Sequence, residues 1–160
     1  QLSRIGRLLN PFKEFSMSEL AADIAELLSG PLNQKEVNLA IQPDMPRVVA
    51  DEARIGQVLQ NLMENAIKFM GDNEDPQLEI GYKELPDEYI FFVSDNGVGI
   101  DPRYQETIFG LFDKLDPHSP GTGIGLSLVR RIIEFHQGRV WVESDGLGQG
   151  STFYFSLPKL

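Results

Sequence analysis

Asn61, Asn65 and Lys68 fall at i, i+4 and i+7 of one strongly periodic segment, which at about 100° per residue gathers them within roughly 60° of arc on a helix. Two amide oxygens suit a hard divalent cation, and an ammonium suits a phosphate. Neutral amides suffice where the phosphates themselves bring the negative charge. The same three residues could equally be only the solvent face of an amphipathic helix. A second candidate is Ser94-Asp95-Asn96-Gly97-Val98-Gly99-Ile100, a carboxylate ending an apolar run and then two glycines, where the chain can turn and a ligand can approach the backbone. Asp95 could accept one strong hydrogen bond there, or could begin an ordinary Asp-Asn-Gly turn. In the third, Gly121-Thr122-Gly123-Ile124-Gly125-Leu126, glycines alternate directly into a helical pattern. Free amides and the dipole at a helix N-terminus favour anions. No Gly-Lys-Ser/Thr follows, so this is not a P-loop, and the spacing and preceding strand are wrong for a dinucleotide fingerprint.

The elements that must position these groups can be read from periodicity. Leu2, Ile5, Leu8 and Leu9 look like the tail of a helix that stops at Asn10-Pro11. Ser16 and Glu19 form a capping-box pair ahead of a helix with Leu20, Ile24, Leu27 and Leu28 on one stripe, ended by Gly30-Pro31. Val37 to Gln42 and Arg47 to Ala50 read as strands. Asp51 is an N-cap for the longest helix, in which Ile55, Val58, Leu59, Leu62, Met63, Ala66, Ile67 and Met70 recur at helical spacing before Gly71. Leu78 to Leu85 and Tyr89 to Asp95 flank a Pro86-Asp87-Glu88 turn, the pattern of an antiparallel hairpin. From Asn96 to Gly123 regularity fails in a long glycine- and proline-rich stretch, a length that inside a small domain is functional or mobile. A helix from Ile124 to Gly138, with Leu128, Ile132 and Phe135 on one face, precedes a last strand pair, Arg139 to Asp145 and Ser151 to Leu157. Helices and antiparallel strands in this order predict an α+β sandwich, one sheet covered by helices on a single face.

Composition narrows the class. With 24 acidic against 14 basic residues, the formal charge of −10 argues against a duplex nucleic-acid binder, while leaving a local phosphate site possible. The absence of cysteine excludes disulfides and thiolate metal sites. No apolar run reaches the length of a membrane span.

The amide, acid and glycine segments, in this order, resemble the N, G1 and G2 boxes of sensor histidine kinases. Ile108-Phe109-Gly110-Leu111-Phe112 looks like the F box, and Gly150-Ser151-Thr152-Phe153 like the last box. The resemblance implies a Bergerat fold: a mixed, mostly antiparallel five-stranded sheet, about three helices on one face, and a flexible ATP lid over about 101–123. It implies that residues 11–160 are the ATP-binding domain and 1–10 the tail of a dimerisation hairpin helix. By residue, it implies that Asp95 accepts from the adenine amine, with Gly97, Gly99 and Ile100 shaping the pocket and Thr152 supporting the carboxylate through a water. Asn65 and Asn61 would bind Mg2+ and Lys68 the phosphates of ATP. Gly121, Thr122, Gly123, Gly125 and Leu126 would wrap the triphosphate; Phe109 and Phe112 would pack the lid, and Lys114 would touch the outer phosphate. Asn61 stands where related ATPases of this fold carry a catalytic glutamate, which favours a kinase over a hydrolase, and Glu64 reads as a surface residue. His118 reads as a loop residue and His136 as structural, so the phosphoacceptor histidine belongs to a separate hairpin of the same or a partner protomer. A response-regulator receiver domain is the expected downstream partner. The isolated domain is expected to be monomeric and cytoplasmic, the full-length protein a homodimer that can be membrane-anchored. A serine-directed anti-sigma-type kinase and a regulatory nucleotide-binding module are the alternatives, and the upstream sequence separates them.

Overall fold

The computed structural model describes residues 10–105, 107–109 and 125–160. The leading residues 1–9, His118, Phe112, Lys114, Gly121, Thr122 and Gly123 lie outside the described residues.

Strand β1 (Lys13–Ser16) runs straight into α1 (Met17–Leu27) because Ser16 holds an extended backbone and its Oγ accepts from Glu19 N at 3.2 Å. Ser16→Ala is expected to lower stability by about 1 kcal/mol, the usual worth of such a cap, read as a small drop in melting temperature. Gly30-Pro31 does not end the helical region, contrary to expectation. α1 stops at Leu27, and α2 (Ser29–Gln34) takes Pro31 in its first turn, where no backbone N–H is needed. Strands β2 (Asn38–Ile41) and β3 (Arg47–Ala50) follow, and β3 pairs antiparallel with β1, Lys13 opposite Ala50.

Helix α3 (Glu52–Lys68) carries the candidate residues Asn61, Asn65 and Lys68. Asp51 caps it through Arg54 N at 3.1 Å, and Ile55, Val58, Leu59, Leu62, Met63, Ala66 and Ile67 are buried along one stripe. Asp51 is fully buried. Burial works against its charge, yet hydrogen bonds from the Asn10 backbone, the Asn10 amide and Arg54 N hold its carboxyl below the ordinary range.

Strands β4 (Gln77–Glu84) and β5 (Glu88–Asp95) form the expected hairpin. After α4 (Gly125–Phe135) come β6 (Val140–Glu143) and β7 (Ser151–Pro158). The main sheet has the order β2-β4-β5-β7-β6. Among the described residues only the β2–β4 pair is parallel, so the sheet is mixed and mostly antiparallel, as expected. On its covered face Leu78, Ile80, Phe91, Val93, Phe153 and Phe155 meet α3 and α4, each worth about 1.5–3 kcal/mol if fully buried. The stripe of α4 is Val129, Ile132 and Ile133, with Leu128 and Phe135 only half-buried. At about 100° per residue Leu128, Val129, Ile132, Ile133 and Phe135 spread over roughly 160° of the helix, so periodicity alone does not decide which edge of that wide apolar arc is buried deepest. The other sheet face carries Trp141 stacked on Tyr154 at 5.1 Å.

Candidate functional site

Asp95 ends β5, half-buried at the mouth of the helix-covered layer. Its Oδ1 accepts from Gly97 N at 2.8 Å and its Oδ2 from the Ser151 hydroxyl at 3.0 Å. Burial pushes its carboxyl above the ordinary range, only partly offset by the hydrogen bonds from Gly97 and Ser151. The supporting hydroxyl is therefore Ser151 rather than Thr152. In the β5–β7 ladder Asp95 faces Ser151 and Ser94 faces Thr152, and the Thr152 hydroxyl is spent on Ser94 at 2.8 Å, on the opposite face of the sheet.

The turn after Asp95 is wedged between two other segments. Val98 N donates to the Phe69 carbonyl at the end of α3 (2.9 Å), and a side chain at Gly97 would collide with that same carbonyl. On the other side Gly148 N donates to Val98 O (2.6 Å), Gly150 N to Gly97 O (3.1 Å), and Ile100 N to Ser144 Oγ (3.1 Å). Gly99 has φ +75°, and a Cβ there would strike the Gly146 carbonyl. Gln105 fastens the arrangement by donating to both Ile100 O and Ser144 O. Ile100 is buried beneath. Ser144, Ser151 and Gln105 escaped sequence reasoning; the glycine-rich 146–150 turn was the signal available, since glycines there permit the close approach.

Asn61 and Asn65 are half-buried on α3, with Lys68 and Glu64 exposed. Gly125, the first residue of α4, lies against Asn61: a Cβ on it would be 3.6 Å from Asn61 Oδ1. Leu126 is half-buried and packs on the core. Thus α3 touches the acid-bearing turn at one point, through the Phe69 carbonyl, and Gly125 at another, beside Asn61. Phe109 is buried edge-on to Phe153, at 5.9 Å between ring centres, so it anchors the chain to the core just ahead of 110–124. Lys35 Nζ, also unforeseen, caps the C-terminal end of α3 through Ile67 O at 2.8 Å. Among the described residues no three His, Cys, Asp or Glu cluster as a metal cage.

Residues 50–160 match the family of histidine kinase-, DNA gyrase B- and HSP90-like ATPases. The chain belongs to that family. Within these ATPases its relatives are histidine kinases. The chain is 45% identical over 157 residues to the methanogenesis regulatory histidine kinase FilI of Methanothrix harundinacea, covering 98% of the chain and 18% of the relative. The catalytic domain of histidine kinase ThkA superposes with a TM-score of 0.81 at 32% identity, over 94% of this chain and 99% of that one. ThkA in complex with response regulator protein TrrA gives 0.77 at 30%, over 93% and 42%. Full-length ShkA in complex with AMPPNP gives 0.82 at 30%, over 98% and 33%. The chain spans about a fifth of the length of FilI and of cyanobacterial phytochromes A and B, and about two fifths of the adaptive-response sensory kinases SasA. It is thus a histidine-kinase-type catalytic domain of the kind used in two-component signalling, and an ATP-binding fold. No helix among the described residues is long and apolar enough to cross a membrane.

Proposed function

We propose that this domain binds Mg-ATP between α3, the 95–100 turn and the start of α4, and passes the γ-phosphate to a histidine on a separate helical hairpin. The observation that carries this is the double contact of α3, with the Asp95–Gly97 turn at Phe69 and with Gly125 at Asn61. Asp95 accepts from the adenine amine, and Gly97, Gly99 and Ile100 form the floor. Asn61 and Asn65 offer the cation two neutral oxygens, Lys68 supplies positive charge to the phosphates, and glycines 121, 123 and 125 wrap them. Their contribution is positioning and electrostatic stabilisation, since phosphoryl transfer needs little covalent help from the protein. The lone pair of the unprotonated ring nitrogen of the acceptor imidazole bonds the γ-phosphorus as the bond to the ADP oxygen breaks, and the proton on the other ring nitrogen passes to an acidic neighbour of that histidine or to solvent.

His136 is unsuited as the acceptor. It is buried, with Nε2 accepting from Asp51 N at 3.1 Å and Nδ1 bonded to Ile132 O at 2.7 Å. With His118 read from the sequence as a loop residue, we place the acceptor on another segment of the parent protein, which we take to act as a cytoplasmic homodimer and to hand the phosphate to a response-regulator receiver domain. The complex of ThkA with TrrA supports that partner class. Radiolabelled ATP tests the reading. The chain alone is expected to bind nucleotide in a magnesium-dependent way without becoming labelled, and to label a histidine hairpin supplied in trans. Labelling of the chain on its own histidines would overturn the assignment.

A further inference from the structure

His136 does more in this fold than fill space. The Ile132 carbonyl can only accept, so Nδ1 carries the proton and Nε2 is left as the acceptor for Asp51 N. One neutral imidazole thereby joins the C-terminal end of α4 to the residue that caps the N-terminus of α3. Phe12 lies flat on the ring, centroids 4.8 Å apart and planes within 7°. Asn10 donates its backbone N–H and its side-chain amide to the Asp51 carboxylate, which also caps Arg54 N. A short leading segment, Asn10 to Phe12, is therefore clamped onto the joint between the two helices.

The position of that joint gives it leverage. Asn61 and Asn65 stand ten and fourteen residues along from Asp51, about 15–21 Å at the helical rise. α4 starts beside Asn61 at Gly125 and ends at the joint, so the two helices meet at both ends: the proposed nucleotide site at one, the histidine at the other. A change in the angle between them opens or closes the Asn61–Gly125 gap by pivoting on His136. The clamp is also accessible. Asn10 is exposed and Phe12 is 42% exposed, so few contacts must break to lift the segment while the core stays packed.

We propose that His136 is a positioning residue for the nucleotide site, and that seating of Asn10–Phe12 on Asp51 and His136 couples the chain preceding the domain to nucleotide affinity. The proposal rests on the nucleotide reading above. It makes the leading segment a conformational input: whatever pulls residues 10–12 off the joint loosens the α3–α4 pair and weakens binding at its far end. Because such coupling is reciprocal, bound nucleotide must also hold the leading segment down.

The test uses the whole 160-residue chain, a non-hydrolysable ATP analogue with Mg2+, calorimetric affinity and amide hydrogen exchange. Saturating analogue is expected to slow exchange of the Asn10 amide by about fivefold or more, the lower range of ordinary coupling. Phe12→Ala and Asn10→Ala, both at exposed positions, are expected to weaken analogue binding by about threefold to tenfold while the cooperative melting transition persists. His136→Gln, which can still offer an oxygen to Asp51 N, should retain more affinity than His136→Phe, which can stack on Phe12 but accepts nothing. Equal affinity in the Phe12 and Asn10 variants, or an Asn10 amide indifferent to saturating analogue, overturns the proposal, even if the His136 variants fail to fold. An unaltered chain that binds no analogue at all sinks the nucleotide reading and the coupling together. An unaltered chain that binds, with variants that bind equally well, sinks the coupling alone.

Discussion

Asp95→Asn is expected to weaken ATP binding by about tenfold to a hundredfold while leaving the melting temperature unchanged or raised. The loss follows from replacing a charged acceptor by an amide, at about 1.5–3 kcal/mol for a hydrogen bond to a charged group. The stability gain follows from burial, which pushes the Asp95 carboxyl up and so marks its charge as a cost to the fold. The sign of the pH effect is set by that direction. Because the folded-state value lies above the unfolded one, the native state holds the proton more tightly. Stability contributed by this group falls as pH rises from the ordinary carboxylate range through the raised value, and above it the full cost is present. ATP affinity should move oppositely, failing as pH drops through that raised value because the protonated acid is a poorer acceptor. Isothermal titration of both proteins across mildly acidic pH checks this. An Asp95→Asn protein with the affinity and pH profile of the original would remove Asp95 from the pocket.

Gly99→Ala is expected to be the most damaging single-methyl substitution near the site. The left-handed backbone at φ +75° costs a side chain about 1–2 kcal/mol, and the added Cβ meets the Gly146 carbonyl, which cannot rotate away. Displacing the 144–150 turn also strains the bonds from Gly148 N, Gly150 N and Ser144 Oγ, so a total loss of about 3 kcal/mol or more is expected. For a domain of this size that is a fall of roughly 6–12 °C in melting temperature, with nucleotide binding lost in parallel. Gly30→Ala is the control: it lies in α2 with open space around it, and the exchange should be neutral or stabilising by about 0.5–1 kcal/mol. Thermal melts of the two variants side by side decide the matter, and a Gly99 variant as stable as the control would contradict the packing described.

What could be read in advance was local. The α3 stripe, the Ser16 and Asp51 caps and the β4–β5 hairpin each follow from residues within a few positions of one another, and all are present. Phe109, singled out by the box resemblance, is buried edge-on to Phe153. What escaped depends on pairing between distant segments. Ser151 and Thr152 are adjacent hydroxyl residues, and which one meets Asp95 is decided by the register of two strands 56 residues apart; a slip of one would exchange them. β1 is four residues with no alternation of its own and exists because Arg47–Ala50 offers it a partner. His136 was legible as structural from its place near a helix end, but its contacts with Asp51 and Phe12 join parts of the chain that no short-range pattern relates.

The last strand of the domain is not at the rim of the sheet but between β5 and β6, and it delivers Ser151 to the acid. During synthesis on a ribosome the sheet must therefore wait with a gap in its middle until residues 151–158 have emerged. Until then β5 lacks a neighbour on one side, Phe91 and Phe155 cannot stack, and Asp95 has no hydroxyl beside it. The nascent polypeptide thus gains its proposed nucleotide pocket only when this strand slots home, and a message cut short just ahead of Ser151 yields an open-edged, sticky product rather than a weaker kinase domain.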